Sequence, residues 1–485
     1  MNAVCIHSKY APQKEAVQFV QRINGNPAII VITEPGDSYL VEPLRTHFPL
    51  ALLIAVRYSD AYFLDSDSMW DAVWRPSVGS LPFFLHNHIA DEQLAATQFL
   101  AWKPSDRAFP QEAEAVWKDI RYTIDMVKSI MYTRSFFGNR WLNNTVKNFI
   151  HLRNRYGIAF GTAPILLAGA GPSLAGIETA AFKHTATCAV SSALMALRYK
   201  KSAVDLCIST DAGYWALRHF DGLDSRVPVA FPLEAAIPSR ILTHNPCIPL
   251  SYHSPLEQEL FRMAGWQALR AKENGTVMGT AVDLLLDNTE STVCIAGLDL
   301  AAAEGFAHAQ PHSSTLFAGQ AAYKLKPLAE ICAVQNFNTQ SLSVYRTWFL
   351  QFPASKKKRV YYLGNTLLAA TNSIPPPLEM PHGAAARGKK LHVYALPESL
   401  SCAARKDAVR TLLARVQATL SAPDAPDSLL GIKNSLERQL CALCAYTDYC
   451  TYVKNQRDGA AREALLKKVN TMIDFLVQRL HGDEL

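Results

Sequence analysis

No segment of this 485-residue chain is apolar for long enough to cross a bilayer. The longest apolar runs, of which Phe48 to Val56 is typical, reach about half of the ~20 residues that a spanning helix needs. The start, Met1-Asn2-Ala3-Val4-Cys5-Ile6-His7, has no charged leader ahead of an apolar stretch, so no secretory signal is expected. Without such a signal, the closing Gly482-Asp483-Glu484-Leu485 is only a chance echo of an ER-retention tail. A cytoplasmic protein without membrane insertion is expected. Excess charge is also lacking: 48 basic less 42 acidic residues leaves +6, too little for the basic face that a nucleic-acid partner would require. Ten cysteines are few for this length, and Cys188, Cys207 and Cys294 stand singly in apolar stretches, as core residues do. Cys441-Ala442-Leu443-Cys444 has no second C-x-x-C to complete a zinc site, so core cysteines are expected and no metal site is assigned.

What is abundant is apolar surface. Hydrophobic residues make up 49% of the chain and charged residues 19%, which excludes wholesale disorder and coiled coil. At roughly 100–200 residues per domain, the length provides for two to four. Residues 1–120 hold buried-strand runs at Ala28 to Ile32 and Leu50 to Val56 and read as an N-terminal α/β domain. There Asp65-Ser66-Asp67 reads as a turn capping a helix over Met69 to Trp74, with a divalent-metal D-x-D as the alternative. Val116, Ile120, Ile124, Val127 and Met131 mark one buried face of a helix over about 111–155. Asn143, Asn144 and Asn148 on it are expected to cap or face solvent.

Residues 121–350 form the central domain. From Pro164, short apolar runs alternate with helical stretches: Ile165 to Ala168, a helix over Leu174 to Phe182, Thr187 to Val190, a helix near Ala193 to Tyr199, and Asp205 to Ser209. Pro228 to Phe231 follows, then a helix near Gly279 to Leu286 and Thr292 to Ala296. The alternation predicts an open, mostly parallel, Rossmann-like α/β sheet. Lys356-Lys357-Lys358-Arg359 and Pro375-Pro376-Pro377 mark a linker over 351–395. Residues 396–485 read as a helical domain with three apolar stripes. These are Val409, Leu412, Leu413, Val416 and Leu420; then Leu429, Ile432, Leu436, Leu440 and Leu443; then Leu465, Val469, Met472, Ile473, Leu476 and Leu480. Pro423 to Asp427 separates the first two stripes, with Asp427 as N-cap.

In an open α/β sheet, ligands bind beyond the carboxyl ends of the strands. Those ends carry Gly169-Ala170-Gly171-Pro172-Ser173-Leu174, Ser191-Ser192, Thr210-Asp211 and Gly297-Leu298-Asp299, which should gather on one rim. The glycines let backbone approach a ligand, and Ser173 can start a helix whose free N–H groups favour phosphate. Pro172 directly after the second glycine departs from the dinucleotide fingerprint, and the P-loop lysine is missing, so neither NAD nor a Walker-type nucleotide site is favoured.

The loop Gly169 to Leu174 resembles the G-N-G-P-S-L loop of bacterial CMP-sialic acid-dependent sialyltransferases, as do Asn274-Gly275-Thr276-Val277-Met278 and Ile295 to Leu300. More widely, residues 5–350 are similar to the motility-associated factor family of flagellin glycosyltransferases, whose central part is called the MptE-like domain. The similarity is carried by His7-Ser8-x-Tyr10-x-Pro12-x-x-Glu15-Ala16 and Phe136-Phe137-Gly138-x-x-Trp141-x-x-Asn144. Ser209-Thr210-Asp211, Gly297-x-Asp299-Leu300-Ala301, Gly305-x-Ala307-His308-Ala309 and Tyr345-Arg346-x-Trp348-Phe349 complete it. Ala170 stands where the sialyltransferase loop has Asn, and Leu298 where motility-associated factors usually carry Gln.

The resemblance implies transfer of a pseudaminic- or legionaminic-type sugar from a CMP donor to Ser or Thr of flagellin, in the cytoplasm before export. It implies nucleotide contacts from Gly169, Ala170, Gly171, Pro172, Ser173, Ser191, Asn274, Gly275 and Thr276. His308 is expected as general base, His312 being the less favoured choice, with Asp211 and Asp299 orienting the base, holding sugar hydroxyls or binding an assisting cation. No cofactor is required. The competing readings are a pterin pyrophosphokinase using ATP and Mg²⁺ held by Asp211 and Asp299, and a non-catalytic flagellin-binding assembly factor.

Overall fold

A computed structural model of the chain describes residues 6–178, 185–300, 306–332, 354–363, 390–397, 400–422, 435–455 and 458–482. The fold is α/β with open, mostly parallel sheets and helices towards the C-terminus. The chain divides into two compact units. The first comprises Met1–Gly138, Leu420–Lys433 and Cys441–Thr471; the second comprises Asn139–Thr419, Asn434–Leu440 and Met472–Leu485. Residues of the expected C-terminal domain, 396–485, are thus shared between two units.

In the first unit, β1 (Ile29–Thr33), β2 (Leu52–Val56), β3 (Ala72–Trp74) and β4 (Thr97–Ala101) form a parallel sheet in the order β3-β2-β1-β4. Alternation along the strands splits the core in two. Ile30, Ile32, Leu53 and Ala55 pack with Ala16, Val20, Val41 and Leu44, whereas Ile29, Val31, Ile54 and Val56 pack with Leu81, Phe84, Leu85, Val116 and Ile120. The helix expected over Met69 to Trp74 is β3, because Ala72-Val73-Trp74 pairs with Ile54, Ala55 and Val56. Asp67 is held by two arginines rather than by a helix start. Its two oxygens meet Arg57 Nε at 2.9 Å and Arg75 Nε at 2.7 Å.

Several motif residues of this unit hold local structure. His7 Nε2 accepts the Asp37 amide at 3.0 Å, and Glu15 Oε2 accepts the Ser8 amide at 2.8 Å. Pro12 opens the helix Pro12–Val20. A Cβ on Gly138 would stand 2.6 Å from the Leu443 carbonyl oxygen, so this glycine permits backbone contact.

In the second unit, β5 is Tyr156–Phe160, β6 Ile165–Ala168, β7 Ala186–Val190, β8 Leu206–Ile208, β9 Val229–Pro232, β10 Cys247–Ser251, β11 Leu269–Arg270, β12 Val293–Ala296, β13 Val360–Tyr362 and β14 Leu391–Ala395. Eight of them make an all-parallel sheet in the order β11-β10-β9-β8-β7-β6-β12-β13, while β14 pairs antiparallel with β5. Cys188, Cys207 and Cys294 lie inside this sheet, fully or almost fully buried.

Two expectations need correcting. The stretch 351–395 is more than a linker, since it supplies β13 beside β12 and β14 beside β5; apolar runs of three to five residues are too short to stand out. Its Lys356 also pairs with Asp283 at 2.9 Å. The helix expected over Leu174 to Phe182 is a single 3-10 turn, Pro172–Gly176; residues 179–182 lie outside the described ones. Pro375 to Pro377, Asp427, Leu429, Ile432 and the motif residues Ala301, Gly305, Tyr345, Arg346, Trp348 and Phe349 also lie outside them.

The other apolar stripes form helices Cys402–Ser421, Leu436–Lys454 and Gly459–His481. Cys441 and Cys444 are buried in the second of these. Among the described residues, no helix is long and apolar enough to cross a membrane.

Candidate functional site

From β6 the chain adds β7 to β11 on one side and then returns to place β12 and β13 on the other. The order therefore reverses between β6 and β12, and a parallel sheet opens a crevice beyond its strand ends at such a point. The four sets of strand-end residues expected to gather do so, because β8, β7, β6 and β12 are consecutive neighbours.

Two loops meet closely over the crevice floor. Gly169 N donates to Ala296 O at 2.7 Å and Gly171 N to Gly297 O at 2.8 Å. A Cβ on Gly171 would stand 2.2 Å from Asp299 Oδ2, and one on Gly297, whose φ is +71°, would stand 2.3 Å from Gly169 O. These glycines are needed for loop-on-loop contact within the protein. The buried Asp299 turns back into the clamp, and its Oδ2 accepts the Ser173 amide at 2.9 Å. That carboxylate takes a first-turn N–H that the sequence suggested for phosphate.

A longer helix starts beside the clamp. In Val277–Asn288, Thr276 is the N-cap, its Oγ1 accepting Gly279 N at 2.9 Å, and Asn274 Oδ1 accepts Thr276 N at 3.3 Å. Met278 Sδ would be 3.0 Å from a Cβ on Gly169, which puts this helix start against the β6 loop. The first amides of a helix have no acceptor within it. Asn274, Gly275 and Thr276 thus lie at the N-terminus of this helix, beside the Gly169 loop.

Ser191 is buried at the end of β7, with its hydroxyl 3.1 Å from that of Ser209 at the end of β8. Asp211 is exposed and closes a turn by accepting Gly213 N at 2.7 Å. Asp211 and Asp299 share this rim but do not stand on neighbouring strands. β7 and β6 lie between β8 and β12, so the two strand ends are roughly 14 Å apart at about 4.8 Å per strand. A shared Mg²⁺ has no carboxylate pair there, and the described residues contain no His, Cys, Asp or Glu group suited to a metal ion.

Ala309 N donates to Ala170 O at 2.9 Å, tying the segment after β12 to the glycine loop. His308 and His312 on this segment stack with centroids 4.1 Å apart and planes 6° from parallel; His219 is 5.4 Å from His312. Burial lowers all three imidazoles below their ordinary value, and the neighbouring imidazoles add to the fall at His312, which reaches about 3. All three are thus neutral near pH 7. Trp215, after β8, packs edge-on to Phe317 at 4.7 Å, and both side chains remain about half exposed.

Sequence reasoning missed His219, this aromatic pair and the bracing behind Asp211. Asn148 is fully buried and donates to Leu233 O and Ala235 O, each at 2.7 Å; Asn144 donates to Glu234 O at 3.0 Å. The braced loop returns Ala236 N to Asp211 O at 2.8 Å. The available signal was the i, i+4 spacing of Asn144 and Asn148, which puts both on one helix face. Elsewhere on the rim, beyond β10, a depression of about 660 Å³ is lined by His253, Gln258, Glu259, Arg262 and Arg415. Its charges are already paired, since Glu259 meets Arg262 at 2.9 Å and Arg415 at 2.8 Å, and the switch point is the better site.

No family model matches the chain. An uncharacterized protein of Treponema pallidum (strain Nichols) is 33% identical over 401 residues, which is 83% of this chain and 89% of that one. Among solved structures, the MAf glycosyltransferase from Magnetospirillum magneticum AMB-1 is similar in fold, with a TM-score of 0.55 over 97% of this chain and 83% of that chain, at 10% identity.

Proposed function

The chain belongs to the same family as the Treponema pallidum protein, and on its fold and site we propose that it is a glycosyltransferase. The donor in this reading is a CMP-activated nonulosonic sugar, and the acceptor is a Ser or Thr hydroxyl of flagellin, modified in the cytoplasm. One observation carries the reading: a glycine loop, a helix N-terminus and a half-buried neutral histidine meet at the switch point of a fold shared with a glycosyltransferase.

His308, neutral at pH 7, takes the proton of the acceptor hydroxyl. The freed oxygen bonds to the anomeric carbon while that carbon's bond to the phosphate oxygen breaks, and CMP leaves with the bonding pair. The start of the helix Val277–Asn288, with Asn274, Gly275 and Thr276, receives the phosphate, because unpaired N–H groups and the helix dipole favour an anion. A single departing phosphate needs no obligatory metal. Gly169, Ala170, Gly171, Pro172 and Ser173 shape the floor under the nucleotide, with Ser191 behind them. Asp299 holds the loop in place, and Asp211 sits near enough to His219 to favour its protonated form. The half-exposed Trp215 and Phe317 offer an apolar face to the sugar.

The test is the mass of flagellin from cells with and without the gene, beside calorimetric titration of CMP into the purified chain. A mass deficit per modified residue in the deletion strain, with CMP binding, is expected. Unchanged flagellin mass with flagellin still made overturns the transferase reading.

A further inference from the structure

Four polar side-chain atoms near the crevice are buried with no partner in the protein: His312 Nε2, His219 Nδ1, Ser313 Oγ and Ser173 Oγ. Folded proteins pair nearly all such atoms, so a group of them on neighbouring segments calls for a partner from outside the chain. His312 is the best defined of the four, because it is only 4% exposed and its orientation is fixed twice. Its ring stacks on His308, and its Nδ1 lies 2.7 Å from Ser314 Oγ while accepting the Ser314 amide at 3.3 Å.

A backbone N–H can only donate, so Nδ1 carries no proton and the proton of the neutral ring sits on Nε2. The ring cannot flip to reverse this without leaving Ser314. Burial and the adjacent imidazoles of His308 and His219 keep the ring uncharged. Nε2–H is therefore a donor and nothing else. It needs an acceptor, and phosphate and carboxylate oxygens are groups that only accept.

We propose that His312 is a fixed, neutral hydrogen-bond donor to an anionic oxygen of the bound substrate, distinct from the base at His308. The inference rests on the transferase reading, in which that oxygen belongs either to the nucleotide phosphate or to the carboxylate of the sugar acid. It reassigns His312 from a reserve base to a binding residue that never exchanges its proton with the substrate.

Three probes separate the sources: CMP, free N-acetylneuraminic acid, and cytidine, which has neither anionic group. Titration calorimetry on wild type, His312→Ala and His312→Gln is run beside ¹⁵N spectra of the histidine rings in the wild-type chain. The expected spectrum shows a protonated Nε2 and an unprotonated Nδ1 at His312, constant from pH 6 to 8, with Nε2–H moving when the anionic probe binds. His312→Ala should weaken that probe at least ten-fold and cytidine less than two-fold. His312→Gln, which keeps an N–H near the same place, should recover most of the loss. A shift with CMP names the phosphate, and one with the sugar acid names the carboxylate. If CMP binds and His312→Ala, with an unchanged melting temperature, binds both CMP and N-acetylneuraminic acid as tightly as wild type, the donor role is overturned and the transferase reading survives. If neither anion moves the His312 signal, the donor role falls; failure of wild type to bind CMP at all counts against the transferase reading itself.

Discussion

The four-stranded and eight-stranded sheets are built alike, both parallel throughout, both with strands largely buried, and both ending in polar residues. They differ in what those residues meet. At the end of β2, the fully buried Arg57 donates through Nη1 to Glu34 Oε1 at 3.0 Å and Gly36 O at 2.7 Å, through Nη2 to Ser66 Oγ at 2.7 Å, and through Nε to Asp67. This rim is heavily cross-linked by its own side chains, although Thr33 Oγ1 at the end of β1 and Arg75 Nη2 after β3 stay buried without a partner. At the ends of β6, β8 and β12, the glycine loop is clamped, yet His312, His219, Ser313 and Ser173 each keep a buried polar atom without a protein partner. The second rim differs in joining such atoms to a glycine loop and the N-terminus of a twelve-residue helix.

The sharpest way to break the comparison is Arg57→Met. It leaves the Glu34 and Asp67 carboxylates without their buried partner and should lower stability by about 3–5 kcal/mol, read by chemical denaturation. CMP affinity of the remaining folded protein should be unchanged. A parallel loss of affinity would mean that the first rim also serves the ligand.

Next is His308→Asn, expected to cut transfer at least about a hundred-fold, equivalent to roughly 2.7 kcal/mol, with a melting temperature within a few degrees of wild type. The pH profile of the wild type sharpens the point. A base works when neutral, and burial lowers the His308 pKa, so the acid limb should fall below the usual imidazole value of about 6.5. An acid limb above that value would exclude His308.

A smaller effect is expected for Gly171→Ala. Its Cβ meets Asp299 Oδ2 and Gly297 O inside the protein, which should cost about 1–3 kcal/mol in thermal denaturation and weaken CMP as the loop shifts. Full stability in this variant would show that the clamp is loose. Smallest is Asp211→Asn, in which Oδ1 can still accept Gly213 N, so stability should change by less than about 0.5 kcal/mol. Transfer to flagellin should fall about ten-fold if the charge acts through His219, and normal transfer would reduce Asp211 to a turn residue.

The sequence by itself determined the fold class and most of the elements, but not β3, β13 or β14. Short apolar runs such as Ile165 to Ala168 and Val293 to Ala296, bounded by glycines or short polar residues, read as strands buried on both faces. The helical periodicity of Val409, Leu412, Leu413, Val416 and Leu420 was equally legible, since all five are buried on one helix. Strand order was not legible, because β12 and β13 could have followed β11 without altering a single local pattern. Only tertiary packing placed β12 against β6, brought Asp299 onto Ser173 N, set Asp211 three strands away, and stacked His308 on His312. Local periodicity reports which face of an element is buried, whereas side-chain partners more than a hundred residues apart depend on how the elements assemble.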